Sequence, residues 1–94
     1  MTTLVWPNKD PGEILDYDLD WSQRLGSDTI VTSNWTIVTT DGALVINSNA
    51  HTGNTTKVWL SAGTLKQNYI LQNTITTSDG DTEIQTVMLP VRAK

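Results

Sequence analysis

The stretch Tyr69–Val91, YILQNTITTSDGDTEIQTVMLPV, decides the fold class. Its first half alternates Tyr69, Leu71, Asn73 and Ile75 against Ile70, Gln72, Thr74 and Thr76. Its second half alternates Thr82, Ile84, Thr86 and Met88 against Glu83, Gln85, Val87 and Leu89. A period of two is the period of a strand. Between the halves lies Ser78-Asp79-Gly80-Asp81. Asp-Gly flanked by β-formers predicts a tight hairpin with a type I′ turn, because Gly accepts the positive φ such a turn requires.

The same pattern runs back toward the N-terminus. Glu13–Trp21 alternates Leu15, Tyr17, Leu19 and Trp21 against Asp16, Asp18 and Asp20, which predicts a half-buried strand with an acidic outer face. The three carboxylates match the first positions of an EF-hand loop. However, Trp21 stands where that loop needs Gly and Ser27 where it needs a bidentate Glu, so the residues read as a solvated face and no metal site is expected. Ser22–Asp28 reads as a loop. Thr29–Val38 reads as a strand with Ile30, Thr32, Asn34 and Thr36 on one face and Val31, Ser33, Trp35 and Ile37 on the other, Trp35 being the core tryptophan.

Thr40-Asp41-Gly42 is a second Asp-Gly turn, followed by a short strand over Ala43–Asn47 and a turn-rich stretch over Asn49–Thr55. Thr56–Leu60 is a further strand, with Val58 and Leu60 inward and Lys57 and Trp59 outward. Leu4–Trp6 can form a short strand that Pro7 confines to an edge or an extended arm, and Lys9-Asp10-Pro11-Gly12 is a turn by composition. Residues 1–12 therefore read as an N-terminal arm or edge strand and residues 13–94 as one domain.

About seven short strands separated by Gly, Asp and Asn turns predict an all-β, immunoglobulin-like antiparallel β-sandwich. Tyr69-x-Leu71 has the pattern of a tyrosine corner, and Trp35 stands where such domains place a core tryptophan. The expected layout puts the strands around Trp35, Tyr69 and Ile84 in one sheet and those around Tyr17, Val45 and Val58 in the other.

Composition bounds the chemistry. The 94 residues contain no cysteine, which removes disulfides, thiolate metal sites and a Cys nucleophile. The single histidine, His51, sits in a Gly/Asn-rich stretch without the partners a triad or metal site needs. There is no GxGxxG and no P-loop, so no enzyme and no cofactor are expected. A net charge of −4 with six scattered basic residues argues against nucleic acid. No apolar run reaches the roughly 20 residues of a membrane span, and Met1–Pro7 lacks a signal-peptide pattern, so the chain is expected to be made and used without export. The sequons at Asn34 and Asn54 then read as accidental.

At Lys9-Asp10-Pro11-Gly12-Glu13-Ile14-Leu15-Asp16-Tyr17 with Asp20-Trp21, at Gly26–Ile30, at Thr56–Gly63 and at Asn73–Thr77, the chain resembles a family of small tailed-phage proteins, the fibre-tail adaptors. The resemblance covers nearly the whole chain. Ala62 stands for the first Gly of a VWLSGGT-like segment, and the residue after Gly80 is not the Arg of the pattern. The resemblance implies a virion structural protein of the tail or neck that contacts other virion proteins in many copies. A capsid decoration protein is the alternative, and a glycan-binding module a further one. Four tryptophans in so small a chain are notable. Trp21 and Trp35 suit a core, whereas Trp6 and Trp59 suit contacts. The expected partner-binding residues are Trp6, Lys9 and Asp10 in the arm and Lys57 and Trp59 on the outer sheet face.

Overall fold

The computed structural model describes residues 3–39 and 41–94. Its strands are β1 (Leu4–Val5), β2 (Ile14–Asp20), β3 (Ile30–Thr39), β4 (Leu44–His51), β5 (Thr55–Ala62), β6 (Asn68–Thr77) and β7 (Thr82–Pro90), with one helical turn, α1 (Ser22–Leu25), after β2. They form a four-stranded sheet of order β1-β7-β6-β3 and a three-stranded sheet of order β2-β5-β4. All pairings are antiparallel except β1 with β7. The predicted immunoglobulin-like sandwich and its division into two sheets are both realised.

The core follows the alternation. Tyr69, Leu71, Asn73, Ile75 and Thr77 of β6 are buried, as are Val87 and Leu89 of β7, Val58 and Leu60 of β5, and Tyr17 and Leu19 of β2. Each fully buried Leu, Ile or Val side chain contributes about 1.5–3 kcal/mol. The tyrosine corner is present: the Tyr69 hydroxyl accepts a hydrogen bond from the Thr64 N–H at 2.8 Å and donates to Asp41 Oδ1 at 2.8 Å.

Between the sheets lies a polar cluster. Asn73 Oδ1 accepts from Trp21 Nε1 (3.1 Å) and Thr56 Oγ1 (2.6 Å), while Asn73 Nδ2 donates to Ser33 Oγ (2.9 Å) and the Asn34 carbonyl (3.0 Å). The amide is fully buried and has all of its hydrogen-bonding capacity used, which removes the cost of an unpaired buried polar group. It ties β5, β6 and β3 to Trp21, the residue that follows β2.

Several local features differ from the sequence reading. In the β6–β7 hairpin only Gly80 has positive φ (88°); the Gly80 N–H bonds the Thr77 carbonyl and the Thr77 N–H bonds the Asp81 carbonyl. This is a three-residue loop closed by a glycine bulge and not a two-residue type I′ turn. In β3 a bulge between Ile30 and Thr32 turns Val31 outward and buries Ile30 on the side of Ser33, Trp35 and Ile37. β4 continues to His51 because a bulge between Ile46 and Ser48 restores pairing to β5 through the stretch expected to be a turn. The expected Ser22–Asp28 loop opens with α1, whose Leu25 is buried. The Asp41-Gly42 turn, by contrast, is as expected: Gly42 has φ 83° and Asp41 Oδ1 accepts from the Ala43 N–H, while Thr40 lies outside the described residues.

The largest difference is in the N-terminal segment. Leu4–Val5 pair with Val87 and Met88 at the edge of the four-stranded sheet; Met1 and Thr2 lie outside the described residues. Residues 6–12 do not form an exposed arm. Trp6 is 8% exposed, stacked on Tyr17 (centroids 4.7 Å apart) and beside Trp35 (5.7 Å). Lys9 is fully buried. Pairing of Leu4 and Val5 to β7, continued by the Trp6 N–H to the Met88 carbonyl and the Lys9 N–H to the Pro90 carbonyl, lays the segment over the open end of the core.

Candidate functional site

The five residues expected to meet a partner fall into two groups. Lys9 Nζ donates to the Ala62 carbonyl at 2.6 Å and to the Asp10 carbonyl at 2.9 Å. Burial pushes its ammonium pKa down, opposed by the Glu13 and Asp10 carboxylates. Asp10 Oδ1 accepts from the Gly12 N–H, Asp10 Oδ2 from the Lys94 N–H, and Glu13 Oε1 from the Asp10 N–H, with Lys94 Nζ 2.9 Å from Glu13 Oε1. The Gly12 and Lys94 N–H groups hold the Asp10 carboxyl below its usual range, and the Asp10 N–H, helped by Lys94, does the same for Glu13. Lys9-Asp10-Pro11-Gly12-Glu13 is thus a folding node that closes one end of the sandwich. Trp6 and Lys9 offer almost no surface to a neighbour.

Lys57 and Trp59 are placed differently. Both project from β5 onto the outer face of the three-stranded sheet, because Thr56, Val58 and Leu60 occupy the inner face. Register sets Asp16 and Ser48 on either side of Trp59, and Asp18 and Ala50 on either side of Lys57. Lys57 Nζ lies 3.6 Å from Asp16 Oδ2 and 5.7 Å from the Trp59 ring centroid. Trp59 stays half-buried beside a shallow groove of about 350 Å³ lined by Asp18, Ala50, His51, Thr52, Thr55 and Lys57. The small Ala50 leaves space next to the indole, and Asp18, His51 and Thr55 supply polar groups around it. Partly buried tryptophan is a residue type enriched among interface anchors in general. His51, read as a loop residue, closes the groove from the end of β4, with Nδ1 3.1 Å from the Thr52 carbonyl.

Asp16, Asp18 and Asp20 stand in a row on β2 and do not converge. Asp28, Asp79 and Asp81 do: their carboxylates lie within 4.8 Å of one another where the segment before β3 meets the β6–β7 loop. No local pattern points to this cluster, since it joins two loops about fifty residues apart. Exposed acidic groups gather this way without binding an ion.

Residues 9–90 match the family described as podophage GP4 fiber-tail adaptor protein gp77. The chain belongs to that family. No curated protein sequence matches it. Among solved structures, the chain is similar to the PKD domain from KIAA 1837 protein, with TM-score 0.56 and 16% identity over 93% of this chain and 81% of that one. It is also similar to part of the Photobacterium sp. JT-ISH-224 2,6-sialyltransferase, with TM-score 0.59 and 15% identity over 98% of this chain. The match covers 18% of that enzyme. At these identities the likeness is one of fold. The phage adaptor family is a structural one, which places the chain among virion tail proteins.

Proposed function

We propose that this adaptor works without catalysis, joining tail and fibre components by protein–protein contacts in many copies, and that its contact is the outer face of the β2-β5-β4 sheet around Trp59 and Lys57. The observation that supports this face is the half-buried Trp59 beside a formed groove, while the fold itself absorbs Trp6, Lys9 and Asp10. A tryptophan at such a position costs little to leave in place and contributes much once a partner excludes water from it. Asp16, Asp18 and Asp20 around it favour a partner surface carrying basic residues, and Lys57 would set the register of the contact.

The test is incorporation. Trp59→Ala and Lys57→Ala variants should fold with unchanged circular dichroism and fail to enter particles, and cryo-electron microscopy of wild-type virions should place this face against a neighbour on the tail. Normal incorporation of both variants would remove the assignment. Density over the capsid shell would make the protein a decoration protein instead. The indole ringed by polar groups also suits a sugar ring, and a saturable change of tryptophan fluorescence on titration with host polysaccharide would favour that reading.

A further inference from the structure

The four sheet edges are not protected alike. β2, one edge of the three-stranded sheet, carries Asp16, Asp18 and Asp20, and β1 is two residues long and followed by Pro7. Charge, brevity and proline are the usual devices that keep an edge from pairing with another chain. The remaining edges, β3 and β4, carry no charge and no proline and are longer, bulges being the one such device they have. All six basic and all ten acidic residues of the chain lie outside 29–40 and 42–56, the stretches that contain the two strands. β3 and β4 run near each other, so the strands on this side of the sandwich are uncharged, with Asp41 in the turn between them.

β3 is the longer of the two, and bulges at Ile30/Thr32 and Ile37/Thr39 bracket a regular window over Thr32–Ile37. In an antiparallel pair alternate residues turn their N–H and C=O away from the partner, so a window of this length leaves about three donors and three acceptors facing out. Its β-branched residues Thr32, Thr36 and Ile37 favour strand pairing. Asn34 and Thr36 project from the outer face and are exposed.

We infer that the β3 edge, over Thr32–Ile37, pairs antiparallel with the same edge of a second copy of this chain, joining two four-stranded sheets across a twofold axis. Charge selects the occupant. Each copy carries −4, so two copies repel through any surface that presents carboxylates, and β2 paired with itself would set three aspartates against three. The neutral β3 edge is where copies meet without that penalty. A basic partner would be drawn instead to the acidic face of β2. Antiparallel self-pairing also satisfies both chains equally, as a twofold contact requires.

Sedimentation equilibrium of the purified chain from about 10 µM to about 1 mM should show a monomer–dimer equilibrium, since contacts of this size bind in the micromolar to millimolar range. Asn34→Lys/Thr36→Lys and Asn34→Glu/Thr36→Glu should each be monomeric, because either pairing register sets like charges across the axis. Mixing the two should restore a dimer containing one of each. Independently of any variant, the outward-facing amides within Thr32–Ile37 of the wild type should exchange more slowly with deuterium at the higher concentration. A wild type that stays monomeric at 1 mM, or a dimer indifferent to both variants with no change in these amides, overturns the inference.

Discussion

Two regions of the molecule use the same pair of residue types for different ends. Trp6 and Lys9 lie in the N-terminal segment, and Lys57 and Trp59 lie on β5. In the first region the indole stacks on Tyr17 and the ammonium is buried against the Ala62 carbonyl. In the second the indole is half-buried at a groove and the ammonium rests between Asp16 and the ring in solvent. Tryptophan and lysine are by themselves neutral on whether a residue builds the fold or serves a contact. Position relative to the strand ladder decides, since the Trp6 segment closes an end of the core and Trp59 alternates with Val58 and Leu60, which already fill it.

Truncating each indole puts this contrast to its hardest test. Trp6→Ala removes a large side chain from the core and should cost about 3–5 kcal/mol, a sizeable part of the stability of a small domain. Trp59→Ala should cost less, about 1–2 kcal/mol, because part of its surface stays in water on folding. Chemical denaturation of the two variants checks the difference. Equal losses would mean that Trp59 is a core residue and the groove a packing defect.

The lysines should differ in the same direction. Lys9→Met keeps the buried stem but removes the ammonium from the Ala62 carbonyl and from the Asp10 carbonyl, which still accepts the Glu13 N–H, and should cost about 1–3 kcal/mol. Lys57→Met removes an exposed ion pair and should change stability by less than about 0.5 kcal/mol. A neutral Lys9→Met would mean that relief from burying an ammonium offsets the lost hydrogen bonds.

How much of this contrast was legible in the sequence depends on range. Strand identity and facing were legible wherever alternation was backed by a buried face, as for Tyr69, Leu71 and Ile75 or for Trp59 outside Val58. The bulge at Val31 was not, because a single inserted residue flips the faces and Ile30-Val31-Thr32-Ser33 is apolar or hydroxylated on both sides. The burial of Trp6 was not legible either. It depends on Leu4 and Val5 pairing with Val87 and Met88, partners more than eighty residues away that no local pattern indicates. Of the candidate surface, Lys57 and Trp59 were visible from the alternation, whereas Ala50 and His51 entered the groove only through a β4 longer than the turn residues suggested.

Acid and alkali probe the first region, with Asp20 and Asp41, which their hydrogen bonds also hold below the usual range, adding to the acid limb. Asp10 and Glu13 have folded pKa values below their unfolded ones, so the stability they contribute is present above about pH 4 and is lost as pH falls through the folded values. Tyr17, under the Trp6 ring and hydrogen-bonded to the Pro7 carbonyl, is pushed up to about 12 by burial. Its contribution is complete below about pH 10 and declines as pH rises from there toward 12. The midpoint of thermal unfolding should thus fall at the acid end, while at the alkaline end the loss from Tyr17 is opposed by Lys9, whose ammonium pKa burial pushes down. Glu13→Gln should soften the acid limb alone, and an unchanged limb would show that the Asp10–Glu13 node does not carry it.

The smallest effect concerns the residue that joins the two regions. Ala62 ends β5, the strand that bears Lys57 and Trp59, and its carbonyl receives Lys9. It has φ 62°, a left-handed backbone that costs a residue with a Cβ about 1–2 kcal/mol. The adjoining Gly63, at φ 99°, sits against Val91 and Leu44 and is already the residue such a conformation favours. Ala62→Gly should relieve the strain at position 62, partly offset by the greater freedom of glycine in the unfolded chain, for a net gain of about 0.5–1 kcal/mol. The gain should reach the Lys9 node and leave the Trp59 face untouched: a higher denaturation midpoint with unchanged incorporation into particles. A loss of stability would mean that the methyl group of Ala62 packs for more than its backbone costs, and that the buried lysine is held by an unstrained carbonyl.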